Sequence, residues 1–171
     1  MNTPSFVGID VGTPKLCGTT RRKAAGLEIM AGGEDIWGER DEFHFAYVPV
    51  SENFEMCARL ISLAMADLYT KALNFNHRMV KNSPCSGIYP PQPLPTRPDF
   101  PVIYPNVWLK LIRGGDTITD QSNENGQHWK TFCVHQQRLP LEAYLGLAVT
   151  SHHADQTVKA VFSDFNLINQ S

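Results

Sequence analysis

Several features that would narrow the function are missing from this sequence. No stretch approaches the ~20 consecutive apolar residues that a membrane-spanning helix needs. Residues 1–15 contain Pro4, Gly8, Asp10, Gly12 and Pro14, which exclude an apolar signal core there. Positive charge is scarce and scattered: Arg21-Arg22-Lys23 is the one basic cluster, and the net charge is −2. Binding a phosphate backbone takes many cations on one face, so nucleic acid is not an expected partner. There is no Gly-x-Ser-x-Gly nucleophile turn and no phosphate-cradling glycine loop. The four cysteines, Cys17, Cys57, Cys85 and Cys133, show neither a Cys-x-x-Cys pair nor a Cys/His ligand spacing. No metal and no cofactor is therefore expected.

The 171 residues suit a single domain, 1–171. A chain of that length buries roughly 70% of its unfolded surface and folds without covalent staples. Free buried thiols are the favoured reading, with two disulfides as the alternative. Thiols without a signal core tilt the expected location towards the cytoplasm.

What the sequence does contain is short alternation. No long helical period appears. Phe43, Phe45 and Tyr47 alternate with His44, Ala46 and Val48, which reads as a strand packed on at least one face. Phe54, Met56, Ala58 and Leu60 alternate with Glu55, Cys57, Arg59 and Ile61, a second strand expected to pair antiparallel with the first across residues 49–53. Residues 107–113 form a third strand. Gly114-Gly115 turns it into a partner beginning at Asp116, and Asn125-Gly126 is a strong hairpin signal before a strand at 129–134. The apolar run 145–150 fits a strand buried on both faces. Residues 158–167 close the chain, with Val158, Ala160, Phe162 and Asp164 opposed to Lys159, Val161, Ser163 and Phe165. Many short strands with Gly and Asn turns predict an all-β, antiparallel two-sheet sandwich.

Two segments break the pattern. Residues 62–73, with Leu63, Ala66 and Tyr69 at helical spacing, fit a short helix or a strand edge equally. Residues 82–106 carry Pro84, Pro90, Pro91, Pro93, Pro95, Pro98, Pro101 and Pro105. Proline lacks the backbone donor that a central strand needs, so an irregular segment with polyproline character is expected over 74–106.

The block from Gly32 through Asp35-Ile-Trp-Gly38 to Pro49 and on to Arg59 carries a resemblance, together with residues 107–113, 122–129 and Tyr144-Leu-Gly-Leu-Ala-Val-Thr-Ser-His152. Over residues 6–72 and 106–167 the chain resembles a bacterial domain of unknown function related to the "regulation of enolase" proteins, assigned to the concanavalin A-like lectin/glucanase superfamily. That resemblance implies a concanavalin A-like jelly roll, in a family whose members often accompany sugar-handling proteins. After Lys71-Ala72 the pattern departs, so the proline-rich loop is expected to replace one or two central strands.

A glucanase of this superfamily works with paired carboxylates on one strand face, about 5–5.5 Å apart in the retaining geometry. Glu39 and Asp41 have the i, i+2 spacing, but the expected third carboxylate falls on His44. No catalytic residue is therefore assigned. Asp35, Trp37, His44 and His152 form the candidate carbohydrate-binding set: an indole face stacks on a pyranose while Asp and His bond its hydroxyls. The blander account, in which Asp35 and the histidines satisfy backbone donors and Trp37 fills the core, is favoured. His152 and His153 are adjacent on a strand and so point to opposite faces, which disfavours a shared metal. Residues 122–129 resemble an Asp-box turn with Glu124 at the usual Asp position, a mainly structural motif. Trp108 is expected in the core or between the sheets.

The leading functional expectation is a non-catalytic carbohydrate-recognition or accessory module, with an oligosaccharide or glycoprotein as ligand. The alternatives are a cytoplasmic protein-interaction or regulatory domain, and a glycosidase-like enzyme with a dispersed site.

Overall fold

The alternation of residues 43–51 decides how the molecule is layered. In the structure, a computed structural model that describes residues 4–64, 75–78, 80, 83–88 and 106–170, Ala46, Val48 and Val50 are buried, while Phe43, Phe45 and Tyr47 stay partly exposed. One face of this strand meets the core and the other does not.

The elements in order are β1 (Val7–Val11), β2 (Thr19–Lys23), β3 (Gly26–Gly33), β4 (Ile36–Trp37), β5 (Arg40–Asp41), β6 (Phe43–Ser51), β7 (Asn53–Leu63), β8 (Phe75–His77), β9 (Ser86–Ile88), β10 (Val107–Gly114), β11 (Thr117–Asn123), β12 (Lys130–Gln136), β13 (Glu142–Val149) and β14 (His153–Gln170). They form a seven-stranded antiparallel sheet, β12-β11-β10-β7-β14-β3-β2, and a three-stranded one, β1-β6-β13. Two small two-stranded sheets, β4-β5 and β8-β9, lie outside them. One apolar cluster draws Leu27, Ile29 and Ala31 of β3, Ala58 of β7, and Val158, Ala160 and Phe162 of β14 together with Ala46 of β6 and Val149 of β13. A second joins Val48, Val50 and Leu145 to Phe54 and Met56. The two sheets thus share their core, consistent with a β-sandwich. Each fully enclosed side chain such as Ile29 or Val158 contributes about 1.5–3 kcal/mol.

Four expectations change. The strands at 43–51 and 53–63 do not pair: β6 pairs with β1 and β13, and β7 with β10 and β14. At Glu52, which takes a left-handed φ of 54°, the chain crosses from one sheet to the other. Both strands are amphipathic, and packing their apolar faces against each other buries both. The run in β13 is not buried on both faces. It pairs only with β6, so it is an edge strand with Leu145 and Val149 inside and Ala148 exposed. Its solvent-facing positions are small, which made the sequence look uniformly apolar.

In β14, Asp164 does not follow Phe162 inward. A register shift between Ser163 and Asn166 and a φ of 53° at Asp164 expel the carboxylate and return Phe165 to the core. Finally, residues 74–106 are not wholly irregular, because β8 and β9 pair within them. Pro84 lies between that pair. The other prolines of the segment, and most of the residues 62–73 read as helix or strand, lie outside the described residues; Ser62 and Leu63 end β7. All four cysteines are free.

Candidate functional site

Three of the four predicted site residues come together and one does not. Asp35 precedes β4 and is fixed by its own loop: its Oδ1 accepts the Ile36 amide at 2.7 Å, and its carbonyl accepts the Glu42 amide at 2.8 Å. His152 Nδ1 lies 3.4 Å from Asp35 Oδ1. His152 sits in the β13–β14 turn at a left-handed φ of 57°, held there because the Thr150 and Ser151 hydroxyls each donate to the Gly33 carbonyl at 3.0 Å. Trp37 is 41% exposed, which overturns its reading as core filling. Asp35 and Trp37 line an open concavity of about 240 Å³ with Glu34, Glu39, Arg40 and Glu42. Indole, carboxylates and one guanidinium give it the polar and aromatic chemistry that a sugar-binding cleft uses.

His44 belongs elsewhere. It is 4% exposed and points inward from β6. Its Nδ1 lies 2.7 Å from Asp10 Oδ1, and its Nε2 lies 2.9 Å from Thr20 Oγ1. A carboxylate only accepts, so Nδ1 carries a proton and donates it to Asp10, while Nε2 and the Thr20 hydroxyl share the second bond. Asp10 also accepts the Gly18 amide with both oxygens. The ring lies so close to Gly8 and Gly18 that a Cβ on Gly8 would come within 2.8 Å of His44 Nε2, and one on Gly18 would overlap the ring. Asp10 is on β1, His44 on β6 and Thr20 on β2, so this chain of bonds fastens the small sheet to the edge of the large one.

The carboxylate pair weighed for catalysis is also dispersed. Asp41 is engaged by the Arg78 guanidinium, with Arg78 Nε 3.2 Å from Oδ2, and Arg78 also donates to the Gly38 and Ser83 carbonyls. Glu39 lies in an exposed turn.

The Asp-box-like segment behaves as a turn. Asn123 Oδ1 accepts the Asn125 and Gly126 amides at 2.6 and 2.8 Å, and Asn125 Oδ1 accepts those of Gln127 and His128. Trp108 is not in the core: paired with Arg59 in register, it lies on the outer face of the large sheet, under Gly126 and with the Arg59 guanidinium over its ring.

Two features escaped the sequence reading. Asp120 points inward from β11, opposite Leu111 and Cys133, and burial pushes its carboxyl up to about 6. The same burial raises the Cys133 thiol, with the Asp120 charge adding to it. The other is a row of rings on the outer face of the small sheet. Phe43, Phe45 and Tyr47 follow one another along β6 with centroids 6.0 and 5.4 Å apart, and Tyr144 of β13 meets Tyr47 edge-on at 4.8 Å. Val7 and Ile9 of β1 pair in register with Tyr47 and Phe45 and are 51% and 44% exposed; Tyr144 is 70% exposed. The period-2 aromatics were visible, but which side of the strand faces solvent was not. Among the described residues no group of three or more His, Cys, Asp or Glu side chains could hold a metal ion, and no helix is long and apolar enough to cross a membrane.

These features define an all-β protein of antiparallel sheets with two distinct outer surfaces. Among solved structures the chain is similar to the crystal structure of a functionally unknown protein from Saccharomyces cerevisiae, with a TM-score of 0.64 and 14% identity over 96% of this chain and 97% of that one. At that identity the likeness concerns the fold alone. No protein-family model matches the chain, and no curated protein does.

Proposed function

We propose that this chain is a non-catalytic protein-interaction module that docks a partner on the outer face of the β1-β6-β13 sheet. The observation that carries the reading is the run of Val7, Ile9, Phe45, Tyr47 and Tyr144 across three adjacent strands, turned away from the core and partly or largely exposed. Contiguous apolar surface rimmed by polar residues is the signature of an interaction site, and Tyr and Phe are enriched at the centres of interfaces. Phe45 and Tyr47 stack with only 20° between their planes. Rings packed face to face along a strand offer a ridged surface, which suits side chains of a protein partner better than the flat faces of a sugar chain. Four free cysteines, one of them exposed Cys17, suit a reducing compartment such as the cytoplasm.

The test is site-specific photo-crosslinking from position 144, with position 55 on the opposite sheet as control. The reading expects a discrete protein adduct from 144 alone. An adduct with a second copy of this chain would make the face a self-association surface. Equal labelling from both positions, or none from 144, would sink the proposal.

A second reading is favoured by a separate observation. Trp37 stands exposed with Asp35 in the polar concavity, and His152 lies 3.4 Å from that Asp35 carboxylate, which supports the carbohydrate-recognition function implied by the lectin-like resemblance. A glycan array probed with the wild type and with Trp37→Ala tests it: a sugar bound by the first and lost by the second supports the site, and an array without binding removes it.

A further inference from the structure

The end of the sandwich remote from Asp35 holds a second concavity, of about 620 Å³, lined by Glu52, Asn53, Arg113, Gly115, Asp116, Arg138 and residues 139–141. That volume lies within the range of small-molecule sites. Its walls are three loops tied to one another. The Glu52 amide donates to the Leu141 carbonyl at 2.8 Å, the Gln137 amide to the Asp116 carbonyl at 2.7 Å, and the Gly115 amide to Asn53 Oδ1 at 2.7 Å. The pocket is therefore built before any ligand arrives, which reduces the ordering cost of binding.

Arg113 is the unusual component. It points inward at the end of β10 and is only 5% exposed. Nε donates to the Gly115 carbonyl at 3.1 Å, Nη1 to Pro140 at 2.7 Å and Nη2 to Leu139 at 3.0 Å. These bonds fix the plane of the guanidinium and leave one further N–H on each Nη. Among the described residues no carboxylate lies within 4.0 Å of it, whereas Arg78 and Lys110 are both paired with acids. A buried cation held by neutral carbonyls alone retains its charge for a ligand. Arg138 adds a second, exposed cation on the same wall, and Glu52 and Asp116 place carboxylate acceptors on the rim.

We infer that this pocket binds a small hydroxylated anion, in which a phosphate or carboxylate group meets Arg113 and Arg138 while hydroxyls donate to Glu52 and Asp116. Guanidinium forks match such anions in a bidentate manner. The two rim carboxylates disfavour a bare dense anion and favour one that brings donors with it. The site is independent of the aromatic face, so neither proposal stands or falls with the other.

The test is titration of the full chain with glucose 6-phosphate, glucuronate, inorganic phosphate and glucose, followed by amide chemical shifts and calorimetry. The expected result is saturable binding of the first two, with shifts at Gly115, Asp116, Leu139 and Leu141. Phosphate should bind more weakly and glucose not at all. Arg138→Ala, a change at an exposed residue that leaves the fold intact, raises Kd about fivefold or more, the loss of one charge-assisted contact. Arg113→Lys raises it further, and added salt weakens the wild type. Glucose binding as well as glucose 6-phosphate, shifts that avoid residues 113–116 and 138–141, or an Arg138→Ala Kd equal to wild type would each overturn the inference.

Discussion

The two outer sheet faces of this molecule are made of different chemistry. On the seven-stranded sheet, Lys110 bonds Glu55 at 2.8 Å and lies 4.2 Å from the centre of the Trp129 ring, Arg59 stacks over Trp108 and pairs with Asp164, and Lys23 pairs with Glu28. Trp108 and Trp129 there each carry a cation on the ring face, which dresses these two indoles for water. On the three-stranded sheet the neighbours of Phe45 and Tyr47 are Val7, Ile9, Gly146 and Ala148, and no charged side chain stands among them in register. The large sheet leaves single apolar side chains such as Val134 and Ile168 exposed, whereas the small sheet gathers its exposed apolar side chains into one patch that is equipped to be covered.

The contrast holds only while both sheets belong to one body, and the largest expected effect comes from breaking their link. His44→Ala leaves the Asp10 carboxylate and the Thr20 hydroxyl without their buried partner and opens a space between Gly8 and Gly18. It should cost about 3 kcal/mol, read as a shift in the urea midpoint, with hydrogen exchange fastest in β1. Protection of β1 equal to wild type would show that the bridge does not hold the sheet.

Next in size is Tyr144→Ala. An exposed ring contributes within about 0.5 kcal/mol to stability, whereas an aromatic anchor contributes about 2 kcal/mol or more to an interface. Yield of the position-144 adduct in the Tyr47→Ser background, and partner affinity of Tyr144→Ala, should fall at least about tenfold with an unchanged melting temperature, while position 55 gives no adduct in either background. A loss of stability that matches the loss of binding would return these rings to a structural role.

Asp120 tests the inner side of the large sheet. Its carboxyl titrates at about 6 in the folded protein against an ordinary 3.8. The folded state thus holds the proton more tightly than the unfolded one. Its contribution to stability is favourable at low pH and is lost as pH rises through that window. Asp120→Asn should gain about 1 kcal/mol at pH 7.5 and nothing measurable at pH 4, compared by denaturant midpoints. A gain that is the same at both pH values would rule out ionisation as the cause. The smallest effect belongs to the dressed face. Lys110→Met removes an ion pair and a cation–π contact, about 0.5–1 kcal/mol in all, and should leave partner capture unchanged.

Much of this architecture was legible beforehand because β-structure writes itself as alternation and turn chemistry. The 107–113 strand, its Gly114-Gly115 return and the Asn125-Gly126 hairpin sit where the residues put them, since each depends on φ preferences and side-chain facing within a few residues. The grouping of Asp35, Trp37 and His152 was legible in part. His44 was misplaced because a histidine among apolar residues does not announce which distant carboxylate it will meet.

Residue order alone is enough to make this protein all-β, to locate most strands and to leave its thiols without need of pairing. Those follow from local pattern, composition and length. It took the packing of the two sheets to set β6 and β7 face to face across the core, to throw Asp164 outward while Phe165 turns in, and to leave Phe45, Tyr47 and Tyr144 on the solvent side. A period of two says that a strand has two faces. Which face becomes the interior is chosen by what the other sheet brings to it, and that partner is remote in sequence.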